Sequence, residues 1–494
     1  MNHETLQAMQ MALNETLLTA AEVALPAPST PMVASDPATL PLHTLDDFTP
    51  FSQSLLWNLQ RRFYEQQGAA AWSRGKVPHY VTSNSFIAQA YAQIALGYLR
   101  DLAEGGDALT VHFVELGAGS GQFSFHFLHW LIPSFVQSQL PGKVRFRYVM
   151  TDFAEENLAF WRSHAGFSAW VEQGWLDFAR FDVTRDTDLS LQISGERLTA
   201  EAPAGPVLLI ANYLFDTVPQ DLFRIKEGDL FQSEVRLQMR GSEVPDLHDP
   251  ALLPHLELRY RHVLWEGKDI YREASLNRLL GEYRDEFPEC SLLFPADGLR
   301  CIERFRALSR DRLFVLSGDK GFFTEDALLG FTLPGIAHHG SFSLTVNYHA
   351  FGKYALQEGG TAWFRPQNGA SITVCGFAFS GSTDLRETRL AWEQAGLRFG
   401  PDDYFTLKGG MERNFAAFSP SELLAYLRLS GYDPKALRRI LPPLIQAAEA
   451  YDTSWAADFR ALLPTVLANH FPLEDGGAFQ AELDRLEKLL SGDF

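Results

Sequence analysis

From Val111 onward, short continuous apolar runs alternate with longer amphipathic stretches. VHFVEL, FRYVM, FARFDV, PVLLIANY and RLFVLSG read as strands, with helices from Gly121 to about Phe135 and from Ala154 to about His164. Strands buried on both faces need such unbroken apolar runs, so the alternation predicts an α/β fold with a mainly parallel, doubly wound sheet and helices on both sides. Ahead of it, Phe51 to Gln67 is helical in pattern, as is Phe86 to Leu102 behind the polar cluster Thr82-Ser83-Asn84. Residues 4–24 favour helix, and residues 25–45, with five prolines, read as a linker. From about Leu230 to Pro295 the rhythm breaks into Arg-rich, partly alternating segments, with a helix expected near Ser275 to Phe287. This stretch reads as an insertion capping the ligand crevice. Past Phe379 the pattern is helical, and Ser419-Pro420-Ser421-Glu422 marks a helix start in which Ser419 caps and Glu422 reaches back.

The expected organisation is a tail and linker (1–50), leading helices (51–105), a first part of the α/β core (106–235), an inserted cap (236–295), a second part of the core (296–380) and a helical C-terminal region (381–494). At 494 residues the chain exceeds one ordinary core, which agrees with additions at both ends. A formal charge of −19 repels polyanions, so no nucleic-acid partner is expected. No run is long and apolar enough for a membrane span. Cys290, Cys301 and Cys375 have no CxxC spacing, so neither a disulfide framework nor a metal site is expected. The N-terminal segment lacks the basic start and apolar core of an export signal, and a cytoplasmic location is expected.

The chemistry concentrates at the end of the first strand. Gly117, Gly119 and Gly121 follow it at GxGxG spacing, with Glu115 just inside the strand. Gly117 suits a positive φ, Gly119 lets backbone approach a ligand, and Gly121 opens a helix packed on the strand. A dinucleotide fingerprint would need glycine at 122, where the chain has Gln122, so the spacing favours S-adenosyl-L-methionine over NAD. Asp152, after the second strand, is placed to accept from ribose hydroxyls, and Asp182, after the third, from the adenine amino group. Each carboxylate could instead cap a turn. The strand Val207 to Ala211 delivers Asn212, Tyr213 and Asp216 to the same sheet edge, facing the methyl group. Asp216 is the first candidate to orient a methyl acceptor or take its proton, and a turn-stabilising role before Pro219 is the structural alternative. His126 and His129, and His338 and His339 in an expected loop, read as ordinary residues rather than ligands. Trp57, Trp72, Phe86 and Tyr91 read as core, or as an apolar entrance.

These segments resemble the MidA-like methyltransferase family, which includes a mitochondrial complex I assembly-factor methyltransferase. ELGAGSG is similar to its ELGPGxG, and Ala211 to Pro219 to its ANExxDALP. Pro78 to Ser83 resembles its lead segment, Gly318-Asp319-Lys320-Gly321 its DYG, and Leu344 to His349 its ITAHVD. Their order matches over about residues 75–380. The resemblance implies a class I, Rossmann-like seven-strand fold, S-adenosyl-L-methionine as cofactor and a protein side chain as the candidate methyl acceptor. Three positions depart from the pattern: Tyr213 replaces a glutamate, Lys320 the tyrosine of DYG, and His349 the aspartate of ITAHVD. Loss of the carboxylate at 213 removes a natural guanidinium partner, so arginine is not carried over as the acceptor. The alternative function is an assembly or interaction factor that binds the cofactor and transfers nothing.

Overall fold

The computed structural model describes residues 40–68, 70–73, 77, 79–105, 109–203, 205–329, 333–334, 336–339, 341–365, 371–381, 383–472 and 477–491. The helix expected at 4–24 and most of the proline-rich stretch lie outside them. The chain divides into two compact units, 1–43 with 240–243, and 44–239 with 244–494. The described part of the first carries a hydrogen bond between His43 Nε2 and the Gly241 carbonyl at 3.0 Å.

In chain order, strand β1 (Leu42–Pro50) is followed by helices α1 (Leu55–Gln67) and α2 (Ser85–Ala103). Ser54 caps α1 and Asn84 caps α2, each accepting a backbone N–H of the first turn. The end of the expected linker is therefore strand. Next come β2 (Leu109–Glu115), α3 (Gln122–Gln137), β3 (Val144–Asp152), α4 (Glu155–Ser163), β4 (Leu176–Arg180) and β5 (Val207–Asn212). There follow β6 (Asp221–Lys226), β7 (Asp229–Arg240), β8 (Glu257–Leu264), α5 (Ala274–Glu286) and β9 (Glu289–Phe294), of which the expected insertion 236–295 holds the end of β7, β8, α5 and β9. The core then resumes with α6 (Ala296–Ser309), β10 (Leu313–Asp319), α7 (Tyr348–Gln357), β11 (Thr361–Trp363) and β12 (Thr373–Phe379). Ala337–His339 is a short strand paired with Ser341–Ser343, rather than a loop.

Seven strands form one mixed sheet in the order β11-β12-β10-β5-β2-β3-β4. The β10, β5, β2, β3 and β4 strands are mutually parallel, and β12 is antiparallel to both its neighbours. Strict alternation assigns the apolar runs to two cores. Val207, Leu209 and Ala211 of β5, with Leu313 and Val315 of β10, face one. Leu208, Ile210, Phe314 and Leu316 face the other, packed with α2 and α3. Both faces are covered, which is why these strands carry no polar alternation.

The second sheet runs β1-β7-β6-β9, with β8 on β7, and its known pairings are antiparallel. It shares a small core with α1 that includes Leu56, Trp57, Val235 and Leu237. Beyond the main sheet, α8 (Pro401–Glu412), α9 (Pro420–Leu429), α10 (Pro434–Glu449), α11 (Ala456–Ala468) and α12 (Gly477–Ser491) build their own apolar core. Ser419 and Glu422 form the expected capping box of α9. Phe86 stacks on Tyr404 at 4.6 Å, and the buried Asp433, cap of α10, also accepts from Ser85 N at 3.1 Å. These contacts tie the C-terminal helices to the start of α2. Among the described residues no helix is long and apolar enough to cross a membrane.

Candidate functional site

Order along the sheet reverses at β2, which has β3 on one side and β5 on the other. In open α/β sheets a crevice forms at such a switch point, beyond the carboxyl ends of the strands. The glycine turn sits there. Gly117, Gly119 and Gly121 have φ of +63°, +54° and +78°, a left-handed conformation that side chains strain to adopt. Leu116 N bonds to Ile210 O of β5 and Ala118 N to Thr151 O of β3, both at 2.9 Å, so the turn is pinned to both neighbours. Trp161 Nε1 donates to Gly119 O at 2.9 Å from α4. A Cβ on Gly121 would lie 2.9 Å from Met150 Cε and 3.2 Å from Trp161 Cδ1, which shows how closely the start of α3 packs.

A cavity of about 360 Å³ opens beside this turn, lined by Gly117, Asp152 at the end of β3 and Phe153 after it, Phe181 to Arg185 after β4, Tyr213, Leu214 and Asp216 to Pro219 after β5, Lys320 after β10, and Ser343. Its remaining wall is α1, through Trp57, Asn58, Gln60, Arg61 and Tyr64, together with Val77. The inserted stretch 236–295, expected to cap the crevice, contributes no lining residue. Its strands are engaged in the second sheet instead, and the leading helix forms the wall.

The carboxylates in the cavity differ in their partners. Asp152 Oδ2 accepts from Gly119 N at 3.2 Å and Asn157 Nδ2 at 2.9 Å, and Oδ1 from Ala154 N at 3.0 Å. Burial outweighs these bonds and raises its pKa. Asp182 Oδ1 accepts from the backbone and hydroxyl of Thr184 at 3.0 and 2.7 Å, and Oδ2 from Arg61 Nη1 at 2.6 Å. Burial pushes its pKa up, but the Thr184 bonds and the Arg61 cation prevail and hold it below the ordinary value. Arg61 also lies over the Phe153 ring, 4.5 Å from its centroid. Asp216 lies after β5 and Asp319 ends β10; Asp216 N donates to Asp319 Oδ2 at 3.2 Å. Both carboxyls are buried and both pKa values are raised, by desolvation first and, for Asp319, also by the charge of Asp216.

Of the residues expected from the sequence, Gly117, Asp152, Asp182, Tyr213 and Asp216 come together on the cavity wall. Gly119 and Gly121 shape the turn behind it. Glu115 lies in the core, its carboxyl accepting from Ser124 Oγ and, at 2.6 Å, from Tyr148 OH, and burial pushes its pKa up to about 7. Asn212 is likewise set back: its Oδ1 accepts from Tyr91 OH at 3.0 Å, and its Nδ2 is buried with no partner. Tyr213 has φ +47°, a strained value for an aromatic residue, and its N–H bonds to Gly318 O at 2.9 Å. His349 Nδ1 pairs with Tyr283 OH at 2.7 Å, and Asn347 caps α7, so both serve packing. The sequence reading missed Arg61 and Tyr64. Their signal was the stripe Trp57, Arg61, Tyr64 at helical spacing, which puts two aromatic rings and a cation on one face of α1. Asp319 belongs to the Gly318-Asp319-Lys320-Gly321 segment, whose resemblance implies no role for it.

No family model and no curated protein matches the chain. Among solved structures, an uncharacterised protein from Burkholderia thailandensis aligns with a TM-score of 0.40 at 12% identity, over 68% of this chain and 90% of its own. A protein from Burkholderia thailandensis bound to S-adenosyl-homocysteine aligns with a TM-score of 0.40 at 13% identity, with the same coverage. DhpI in complex with SAM and HEP aligns at 0.29 and 11% identity, over 66% of this chain and 98% of its own.

Proposed function

We propose that this chain is a class I methyltransferase that uses S-adenosyl-L-methionine. The observation that carries the reading is the turn of three left-handed glycines at the strand-order reversal, with Asp152 of the next strand bonded to Gly119 N beside it. The strand order, with β12 alone antiparallel to its neighbours, agrees with that class.

The residues present fit the cofactor. Gly117 faces the cavity without a side chain, where a Cβ would meet Leu214 Cδ1 at 3.1 Å. Asp152 Oδ1 accepts one bond from the protein, which leaves capacity for a ribose hydroxyl. Asp182, kept ionised by Thr184 and Arg61, is the acceptor for the adenine amino group. Asp216 lines the cavity and its Oδ1 is buried without a partner, as expected of a group that awaits a ligand. The cofactor supplies an electrophilic methyl group on a sulfonium. The chain's own part is to align the acceptor, exclude water behind Trp57, Tyr64 and Phe153, and receive a proton at Asp216. The acceptor, a protein side chain in our reading, enters between Tyr213, Asp216 and Lys320.

Calorimetric titration tests the reading. S-adenosylmethionine is expected to bind, NADH not to, and Gly119→Val or Asp152→Ala to weaken binding more than about tenfold, or about 1.4 kcal/mol. Unchanged affinity in both variants removes the site. Methyl-tritium transfer into lysate acceptors, abolished by Asp216→Ala, separates an enzyme from a binding factor that transfers nothing.

A further inference from the structure

The carboxyls of Asp216 and Asp319 lie in one buried place, where desolvation and then the charge of Asp216 raise the pKa of Asp319. Two carboxylates buried in one place repel each other and are poorly solvated, which favours a proton on one of the two. Backbone N–H groups satisfy Asp319 further: Asp216 N at Oδ2 and Lys320 N at Oδ1, 3.2 and 2.8 Å. Asp216, 8% exposed, lines the cavity and keeps Oδ1 without a partner.

The surroundings offer no compensating charge. Tyr64 of α1, Tyr91 of α2, Tyr213 after β5, Tyr348 of α7 and Cys375 of β12 all feel one or both carboxyls, and burial raises the pKa of each, which keeps it neutral. Lys320 is exposed, and among the described residues no cation is paired with either carboxyl. Beyond the backbone N–H groups and the Ser343 hydroxyl, the negative charge is answered by a proton or by what enters the cavity.

We infer that Asp216 and Asp319 retain one shared proton and act as a single proton-accepting unit, with Asp216 facing the methyl acceptor and Asp319 as its positioning residue. This rests on the methyl-transfer reading for the source of the incoming proton. In the step, a neutral N–H or O–H nucleophile bonds to the methyl carbon. The carbon–sulfur bond of the sulfonium breaks with its electron pair left on sulfur, and the nucleophile's proton passes to Asp216 Oδ1. The pair goes from one proton to two. A thiolate or carboxylate acceptor would have no use for such a unit, so the substrate class is a nitrogen or oxygen nucleophile that arrives still protonated.

The test is infrared difference spectroscopy of the full, cofactor-free chain through a pH titration. Wild type minus Asp319→Asn is expected to show the carbonyl stretch of a protonated carboxylic acid at neutral pH, fading only at alkaline pH, and wild type minus Asp216→Asn the same band. Its absence from both differences overturns the shared proton, and either variant suffices if the other does not fold. In methyl-tritium transfer from S-adenosylmethionine into lysate acceptors, Asp216→Asn should lose at least about tenfold at every pH. Asp319→Asn should lose less than that and lack the alkaline transition of the wild-type profile. An unchanged alkaline transition overturns the role of Asp319. If the band is present but the protein binds no S-adenosylmethionine by calorimetry, the methyl-transfer reading fails and the proton-sharing pair stands.

Discussion

The two walls of the cavity that flank the switch point are built on opposite terms. On the β2–β3 side the turn is pinned to both neighbouring strands, and the Asp152 carboxylate meets three N–H donors. On the β5–β10 side Tyr213 holds a strained φ, Asn212 Nδ2 and Asp216 Oδ1 lack partners, and two acids face each other. On the first wall the Asp152 carboxylate is met before any ligand arrives, with only Asn157 Oδ1 behind it unpaired, whereas the other stores unmet polar demand at the cavity itself. Satisfied groups fix a cofactor in place, whereas unsatisfied ones are worth their cost only where charge or a proton changes hands. Under the proposed function, binding falls to the first wall and chemistry to the second.

Overfilling the satisfied wall gives the largest expected effect. Gly121→Val adds a branched side chain at φ +78° and drives its Cβ against Met150, Phe167 and Trp161. The loss should be about 4 kcal/mol or enough to prevent folding, read by urea denaturation. A loss under about 1 kcal/mol would mean that this wall is as loose as its counterpart.

Glu115 tests the same wall through pH. Its folded pKa of about 7 lies above the ordinary 4.5. The folded state therefore holds the proton more tightly, and the stability due to this group is full below pH 4.5 and lost as pH rises to about 7. Glu115→Gln removes that dependence. Between the two pH values the variant should gain on wild type by about 3 kcal/mol in unfolding free energy. Parallel curves would show that Glu115 ionises normally inside the fold.

Much of this arrangement is local and so legible in the sequence. The glycine turn, its strand and Asp152 announce themselves because strand, turn and helix are contiguous, and the core strands because burial on both faces leaves unbroken apolar runs. The α1 wall was not legible as a wall, because Arg61 reaches Asp182 across more than a hundred residues of chain. Asp319 meets Asp216 through the register of β10 on β5, in which Gly318 lies opposite Asn212, and no local pattern encodes that register. The alternation in LELRYRHVLW was read as part of a cap, yet it is the mark of a half-covered antiparallel strand, which β8 is.

Exchanging the same atoms on the two walls tests the contrast directly. Asp152→Asn keeps one acceptor oxygen but turns an amide against Asn157 Nδ2 or Ala154 N, at a cost of about 2 kcal/mol. Asp216→Asn removes a buried acid whose charge has no cation, and should be neutral or stabilising above neutral pH. Equal losses in chemical denaturation at about pH 8 would erase the distinction between the walls.

The smallest expected effect on stability is at Arg61, where α1 closes over the binding wall. Its ion pair with Asp182 is partly open to solvent, with 26% and 10% of the side chains exposed, so Arg61→Gln should cost less than about 1 kcal/mol. Affinity should respond more clearly. The guanidinium helps hold the Asp182 pKa below its ordinary value and lies over the Phe153 ring, beside the carboxylate proposed to take the adenine amino group, and glutamine can do neither. S-adenosylmethionine binding is therefore expected to weaken about fivefold by calorimetry, with Arg61→Lys between the two, because an ammonium keeps the charge but not the planar stack. Affinity unchanged by Arg61→Gln would return α1 to a purely structural role and leave the binding wall to the strand ends alone.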